Sequence, residues 1–193
     1  MANIQFDMDG VLADFSNGFT RFARQLGMDV PLTSDLTNPT YGTSHVVGGQ
    51  DRDARIWEAL LQDPYFWEYL PAAVPYDVTR RIDLMQTRHD VYFTTHRMGV
   101  AAKRQTANWL RAHGVHDPTV VLVRDKGPAA FGLKSTYSIE DKWENAVDIA
   151  LLSHALSFLV NRPYNQRQTD HGVKRVDTVA QFLDYIDNEE EGK

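Results

Sequence analysis

Residues 3–15 read NIQFDMDGVLADF. The apolar-leaning run 3–8 predicts a short buried strand, and it ends at two carboxylates, Asp7 and Asp9, with Gly10 directly after them. Like charges crowded at the end of a buried strand raise the free energy of the folded chain unless something neutralises them. A glycine there lets the chain turn and bring Asp9 back beside Asp7. The rest of the sequence predicts what compensates the two acids and what they are for.

Outward from that strand, residues 14–27 place Phe15, Phe19, Phe22 and Leu26 on one helical face. Residues 28–50, rich in Pro, Thr, Ser, Asn and Gly, read as loop. Helices are expected at 51–62 and 75–88, the second with Pro75 suited to a first turn, joined by the aromatic connector DPYFWEYLP (63–71). From residue 89 strands and helices alternate. DVYFTT (90–95), TVVLVR (119–124), YSIED (137–141), LSFLV (156–160) and VKRV (173–176) read as strands. Helices are expected at 100–114, closed by Gly114, at 145–155 and at 178–187, before a solvated, frayed acidic tail NEEEGK.

That alternation predicts an α/β fold, a Rossmann-like parallel sheet flanked by helices. The helical stretch after the first strand interrupts it and reads as a small inserted cap. The expected division is a core of residues 1–15 and 87–193 and a cap of residues 16–86. In such sheets ligands bind beyond the carboxyl ends of the strands. Asp7 and Asp9, Thr94 and Thr95, Lys126, and Glu140 and Asp141 all fall there in this reading.

Composition bounds the function. The chain has 193 residues and is 42% hydrophobic, enough for one domain with a substantial core. A net charge of −6 and the absence of a basic run argue against a nucleic-acid polymer as partner, though not against a small anion. With no cysteine, thiolate catalysis, disulfides and Cys-ligated zinc are excluded. No apolar run approaches the ~18 residues of a membrane span, and the N-terminus lacks the pattern of a secretory signal. A cytoplasmic protein with no membrane partner is the expectation.

Asp7, Asp9, Glu140 and Asp141 could not all ionise in one pocket unaided. A hard divalent cation such as magnesium resolves this, with Asp7 and Asp141 as side-chain ligands and a substrate phosphate completing the octahedron. A carboxylate can attack phosphorus and split one hard displacement into two easier ones. A second one can protonate the leaving oxygen and then deprotonate the attacking water. Lys126 and the Thr94 and Thr95 hydroxyls suit the charge of a transferring phosphoryl group. Each feature has a plainer reading when taken alone. Asp-x-Asp-Gly is a common turn composition, Thr94-Thr95 can cap a strand, and Lys126 can be a solvated loop lysine. Glu140-Asp141 can precede a helix N-terminus. Their occurrence together, in order and each at a strand end, carries the catalytic reading.

At this level of detail DMDGVLADF resembles the first motif of the haloacid dehalogenase-like phosphatases. Within them it is most similar to the 5'(3')-deoxyribonucleotidases and their bacterial and phage relatives. VYFTTHR, VLVRDKGP and YSIEDKWENAVDIA resemble the second, third and fourth motifs. DPYFWEYLPAAVPYDV resembles the return segment of their cap, and FLVNRPYNQ with RVDTVAQFLDYI resembles their C-terminal ending. The resemblance implies Asp7 as nucleophile and magnesium ligand. It implies Asp9 as general acid/base and as a ligand through its main-chain carbonyl. Asp141 would be the third protein ligand, Lys126 the cation facing the phosphate, and Phe15 an aromatic packed on the base. The fourth motif of that group usually reads Asp-Asp, and here it is Glu140-Asp141. In the second motif strand phase favours Thr94 as the phosphate-binding hydroxyl, while the Thr-x-Arg pattern favours Thr95. His96 and Arg97 could also reach phosphate, and Lys134 competes with Lys126 for the third motif.

A base needs a flat apolar platform, and Phe15, Trp57, Tyr65, Phe66 and Trp67 are the candidates, with Phe15, Phe66 and Trp67 foremost. Their alternative role is the cap's own core. The leading expectation is a magnesium-dependent phosphatase for nucleoside 5'-monophosphates, working as a monomer or homodimer. The alternatives are a phosphatase for another small metabolite such as a sugar phosphate, a catalytically silent binding module, and a nucleic-acid end-processing phosphatase.

Overall fold

Six strands, β1 (Asn3–Asp7), β2 (Asp90–Thr95), β3 (Thr119–Leu122), β4 (Tyr137–Glu140), β5 (Leu156–Val160) and β6 (Lys174–Val176), form one sheet in the computed structural model. Every pairing is parallel, in the order β3-β2-β1-β4-β5-β6. The structure describes residues 1–28, 50–166 and 171–192, so the expected 28–50 loop lies, but for its two end residues, outside the described residues. The helices are α1 (Phe15–Gln25), α2 (Gln50–Gln62), α3 (Tyr76–Met85), α4 (Ala102–Ala112), α5 (Lys126–Gly132), α6 (Trp143–Ser153) and α7 (Val179–Glu191). The strand order reverses direction at β1, with β2 and β3 laid to one side and β4 to β6 to the other. The crevice beyond the carboxyl ends of β1 and β4 is therefore the place where such a sheet accepts a ligand.

Register decides what faces what. Phe6 lies opposite Phe93 on β2 and Ile139 on β4, and Ile139 opposite Phe158 on β5. Neighbours at one register share a sheet face, so these apolar side chains form a continuous layer. Phe182 of α7 covers it, with ring centroids 5.5 Å from Phe6 and 4.9 Å from Phe158. One residue on, the phase flips. Asp7 pairs with Thr94, and Glu140 follows Ile139 on the adjacent strand. The opposite face thus presents carboxylates at its carboxyl edge, beneath α5 and α6.

Several elements differ from the sequence expectation, α3 (Tyr76–Met85), α4 (Ala102–Ala112) and β3 (Thr119–Leu122) being shorter than expected. α5 has no bounds in the sequence expectation, and Pro128 falls in its first turn, where its missing N–H costs nothing. α6 begins at Trp143 rather than 145. α7 runs to Glu191 instead of fraying after 187. The acidic end is held against the segment after α3, with Arg88 donating to Asp187 Oδ1 at 3.0 Å and to Glu190 Oε2 at 2.9 Å. Arg81 on α3 likewise bonds Asp184 and Asp187 of α7 at 2.7 and 3.1 Å.

α5 sits unusually close to α6. A Cβ on Gly127 would come within 2.8 Å of the Asp148 carbonyl oxygen and 2.7 Å of Leu152 Cδ1. Gly127→Ala therefore forces the helices apart and is expected to cost about 1–3 kcal/mol, lowering Tm by several degrees. Because Lys126 is the neighbouring residue, its side chain should be displaced with it. A thermal melt unchanged within a degree would show that the contact is softer than it looks.

Candidate active site

The chain turns sharply after β1. Gly10 adopts φ +80°, and the N–H groups of Leu12 and Ala13 both donate to Met8 O, at 2.9 and 2.8 Å. The turn leaves Asp7 at the strand end and brings Asp9 onto the same crevice. Asp14 then caps α1, accepting from the Asn17 N–H at 3.0 Å, which sets Phe15 at the first helical position over the carboxylates.

Lys126, at the start of α5, points back into the sheet edge and is 3% exposed. Its ammonium donates three hydrogen bonds, to Asp7 Oδ1 at 2.6 Å, Glu140 Oε1 at 2.8 Å and Thr94 O at 3.0 Å. That uses its full donor complement. Asp7 Oδ2 receives no hydrogen bond among the described residues. Burial alone would lower the Lys126 pKa, but Asp7 and Glu140 outweigh it and hold the ammonium at about 12. Glu140 is wholly buried, and Asn145 donates to its second oxygen at 3.2 Å. Burial, and then the charge of Asp7, push it up to about 7 against the pull of Lys126. Asp141 is driven to about 8 by burial and by Asp7, partly offset by the hydroxyl of Tyr164, which donates to its Oδ2. Burial, and then that carboxylate, keep the Tyr164 phenol far above its ordinary range. Asn165 completes the support by donating to the main-chain oxygens of Asp141 and Val160 at 2.7 and 2.9 Å.

Oxygens of Asp7, Glu140 and Asp141 lie within 4.8 Å of one another. Three buried carboxylates against one ammonium leave excess negative charge, which adds to burial in raising Glu140 and Asp141. This cluster fits a divalent cation with oxygen ligands. Glu140 is the odd member. Both of its oxygens are engaged, by Lys126 and Asn145, and it does not border the cavity, whereas Asp7, Asp9 and Asp141 do. Asp7, Asp9 and Asp141 thus border the cavity, and Glu140 holds Lys126 from behind.

That cavity, about 290 Å³, has a polar floor of Asp7, Asp9, Thr95, Lys126 and Asp141, with His96, Lys142 and Asn145 at its sides. Its apolar wall is Phe15, Trp57, Trp67 and Met98. Phe15 stacks between the two indoles, 5.8 Å from Trp57 at 23° and 5.7 Å from Trp67 at 21°. Trp67 is fixed by its N–H to Gln105 Oε1 at 2.8 Å and by Nε1 to Met98 O at 2.8 Å.

Several expected residues take other places. Thr94 shares the sheet face of Asp7, as strand phase predicted, but Lys126 fills that space and the Thr94 hydroxyl is buried off the cavity. Thr95, one residue nearer the open edge, borders the cavity with a buried hydroxyl that has no hydrogen-bond partner among the described residues. Phe66 points away from the cavity and packs edge-on against Phe15, Phe22 and Trp67. Tyr65 lines a different surface groove. Trp57, the half-buried indole from α2, takes the place on the wall that Phe66 was expected to hold. Arg97 turns from the cavity to Asp9. Lys134 follows the far end of α5, away from Asp7. Tyr164 and Asn165 carried no expected role, although they lie in the NRPYNQ segment that resembled the family's C-terminal ending.

The family described as "5' nucleotidase, deoxy (Pyrimidine), cytosolic type C protein" matches residues 1–188. No curated protein matches the chain. Among solved structures, a haloacid dehalogenase-like family hydrolase from Xanthomonas campestris aligns with TM-score 0.58 at 13% identity, covering 97% of this chain and 95% of that one. CbbY from Rhodobacter sphaeroides, in complex with phosphate, aligns with TM-score 0.58 at 15% identity, covering 94% and 96%. At such identities the likeness shows the shared fold. No helix among the described residues is long and apolar enough to cross a membrane.

Proposed function

Since the chain belongs to the cytosolic type C 5'-nucleotidase family and is a haloacid dehalogenase-like phosphatase, we propose that it hydrolyses nucleoside 5'-monophosphates, deoxyribonucleotides foremost, with magnesium. One observation carries the reading. A single cavity joins the Asp7–Lys126–Asp141 cluster to a wall of stacked aromatic rings, so a phosphate and a flat base can be held by one molecule's length.

Asp7 attacks phosphorus through Oδ2 while Lys126 holds Oδ1, so the nucleophile is oriented before substrate arrives. As the Asp7–phosphorus bond forms, the ester P–O bond breaks, and Asp9 delivers a proton to the departing nucleoside oxygen. Asp9 then takes a proton from the water that attacks the aspartyl-phosphate, which frees Asp7 and inorganic phosphate. Thr95 donates to a phosphoryl oxygen, and the Lys126 charge, held 2.6 Å from Asp7 Oδ1, offsets the negative charge beside it. Magnesium, held by the Asp7 and Asp141 carboxylates and the Asp9 carbonyl, would offset the charge spread over those oxygens. The family's description as cytosolic supports a cytoplasmic setting.

The test is phosphate release across ribo- and deoxyribonucleoside monophosphates and several sugar phosphates, with magnesium and with EDTA. Turnover of a few nucleotides, lost in EDTA and restored by magnesium, is expected. The same panel on Trp57→Ala should show nucleotide kcat/KM falling about 10-fold, the scale of one stacking contact, while 4-nitrophenyl phosphate is little changed. Turnover of sugar phosphates alone would retain the chemistry and discard the base site.

A further inference from the structure

Arg97 is a buried cation that the reaction above leaves without a task. It sits two residues beyond β2, its side chain is fully buried, and it does not border the cavity. Its guanidinium grips Asp9 from the protein side. Nη2 donates to Oδ1 at 2.7 Å, and Nε lies 3.0 Å from Oδ2 and 3.2 Å from Oδ1. Nη1 donates to Thr106 Oγ1 on α4 at 3.1 Å, and that hydroxyl donates to Ala102 O at 2.8 Å. The guanidinium carbon lies 5.0 Å from the centre of the Trp67 ring, the indole that stacks on Phe15.

A phosphate-binding arginine would present its donors to the cavity. Arg97 presents them to one carboxylate and spends its last contacts on anchors. A planar fork gripping both oxygens fixes the carboxylate's plane as well as its position, which a lysine cannot do. The Asp9 side chain keeps 19% of its surface, so it is clamped from behind and still borders the cavity. We propose that Arg97 is a positioning residue that aims Asp9 at the leaving oxygen, itself held by Thr106 and the face of Trp67. This rests on Asp9 as the proton donor. It also ties the aromatic wall that would receive the base to the group that would release the nucleoside.

The test exploits the leaving oxygen. Phenyl phosphate expels a basic oxygen that needs a proton, and 4-nitrophenyl phosphate expels one that scarcely does. Neither carries a base, and kcat/KM reports the step in which that oxygen departs. Asp9→Asn should lower kcat/KM for phenyl phosphate about 10²-fold or more beyond its effect on the nitrophenyl ester. Arg97→Met should show the same bias, about 10- to 100-fold, and Thr106→Val a weaker one, about threefold. Arg97→Lys should restore only part, since an ammonium cannot grip both oxygens. Equal losses on both esters in Arg97→Met, with the bias intact in Asp9→Asn, would overturn the positioning role and leave the mechanism standing. No bias in Asp9→Asn would remove Asp9 as proton donor, and the inference with it. If Arg97→Met does not fold, Thr106→Val decides, and an unchanged ratio of the two esters there would overturn the proposal.

Discussion

Asp7→Asn should abolish phosphate release, with kcat falling about 10⁴-fold or more, while the fold survives. The amide keeps the shape of the carboxylate but cannot form the acyl phosphate, and no other carboxylate stands in its place. Asp9 is clamped by Arg97, Glu140 is closed off from the cavity, and Asp141 is held by Tyr164. The stability readout runs the other way. Burial and then the Asp7 charge raise Glu140 to about 7 and Asp141 to about 8. A carboxyl whose pKa is raised on folding contributes stability that is complete below its unfolded value near 4. That stability is lost as pH rises through the folded value. In EDTA the wild-type protein should therefore lose stability between about pH 4 and pH 8. Asp7→Asn, which removes one source of the shift, should lose less. Thermal melts across that range give the answer. Turnover within tenfold of wild type would remove Asp7 as nucleophile, and parallel pH profiles would show that its charge does not govern the neighbouring acids.

Lys126→Met should be almost as damaging, for a different reason. The ammonium is the shared partner of Asp7, Glu140 and the Thr94 carbonyl. A methionine fills its volume and returns none of those bonds. Removing one member of a buried ion cluster costs about 3–5 kcal/mol, because the remaining charges are stranded. Removing one electrostatic donor from a reaction centre costs about 10²–10³ in kcat. The metal-free variant should melt well below wild type. Magnesium should recover part of that stability by neutralising the carboxylates, but not the turnover, since the phosphoryl oxygens still lack their cation. A variant with wild-type kcat and a lowered melt would make Lys126 purely structural. One unchanged in both would deny the cluster any cost.

Much of this centre was legible in the chain. The Asp7-x-Asp9-Gly10 spacing needs only a strand end and a glycine turn, and both are local. The β-branched and aromatic runs that make β2, β4 and β5 carry their own signal, as does Gly114 at the end of α4. The resemblance of four motifs, taken in order, puts Lys126 and Asp141 beyond the strand ends, and both border the cavity, Lys126 from the first residue of α5. KGPAAFG is a poor helix former by composition. It becomes helical because Gly127 allows α5 to close onto α6 and Pro128 falls where no N–H is needed.

What could not be read was the choice among neighbours. Phe66 and Trp67 are adjacent aromatics, and nothing local says that one faces the cavity and the other the interior. Gln105 and Met98, both far along the chain, settle it by fastening Trp67. Thr94 and Thr95 differ by one step of strand phase, and only the presence of Lys126 against the Thr94 carbonyl leaves Thr95 for the cavity. Arg97 reaches Asp9 across 88 residues of sequence, and Tyr164 reaches Asp141 across 23. Short stretches of chain already specify the parallel α/β architecture, the turn that pairs Asp7 with Asp9, and the acidic, lysine-balanced character of the centre. Backbone periodicity, turn chemistry and the types of charged residue are properties of short stretches. Tertiary structure alone decided which hydroxyl, which rings and which cation serve it. Those choices depend on desolvation and on hydrogen bonds between side chains that meet only when distant strands and helices are brought within a few ångströms.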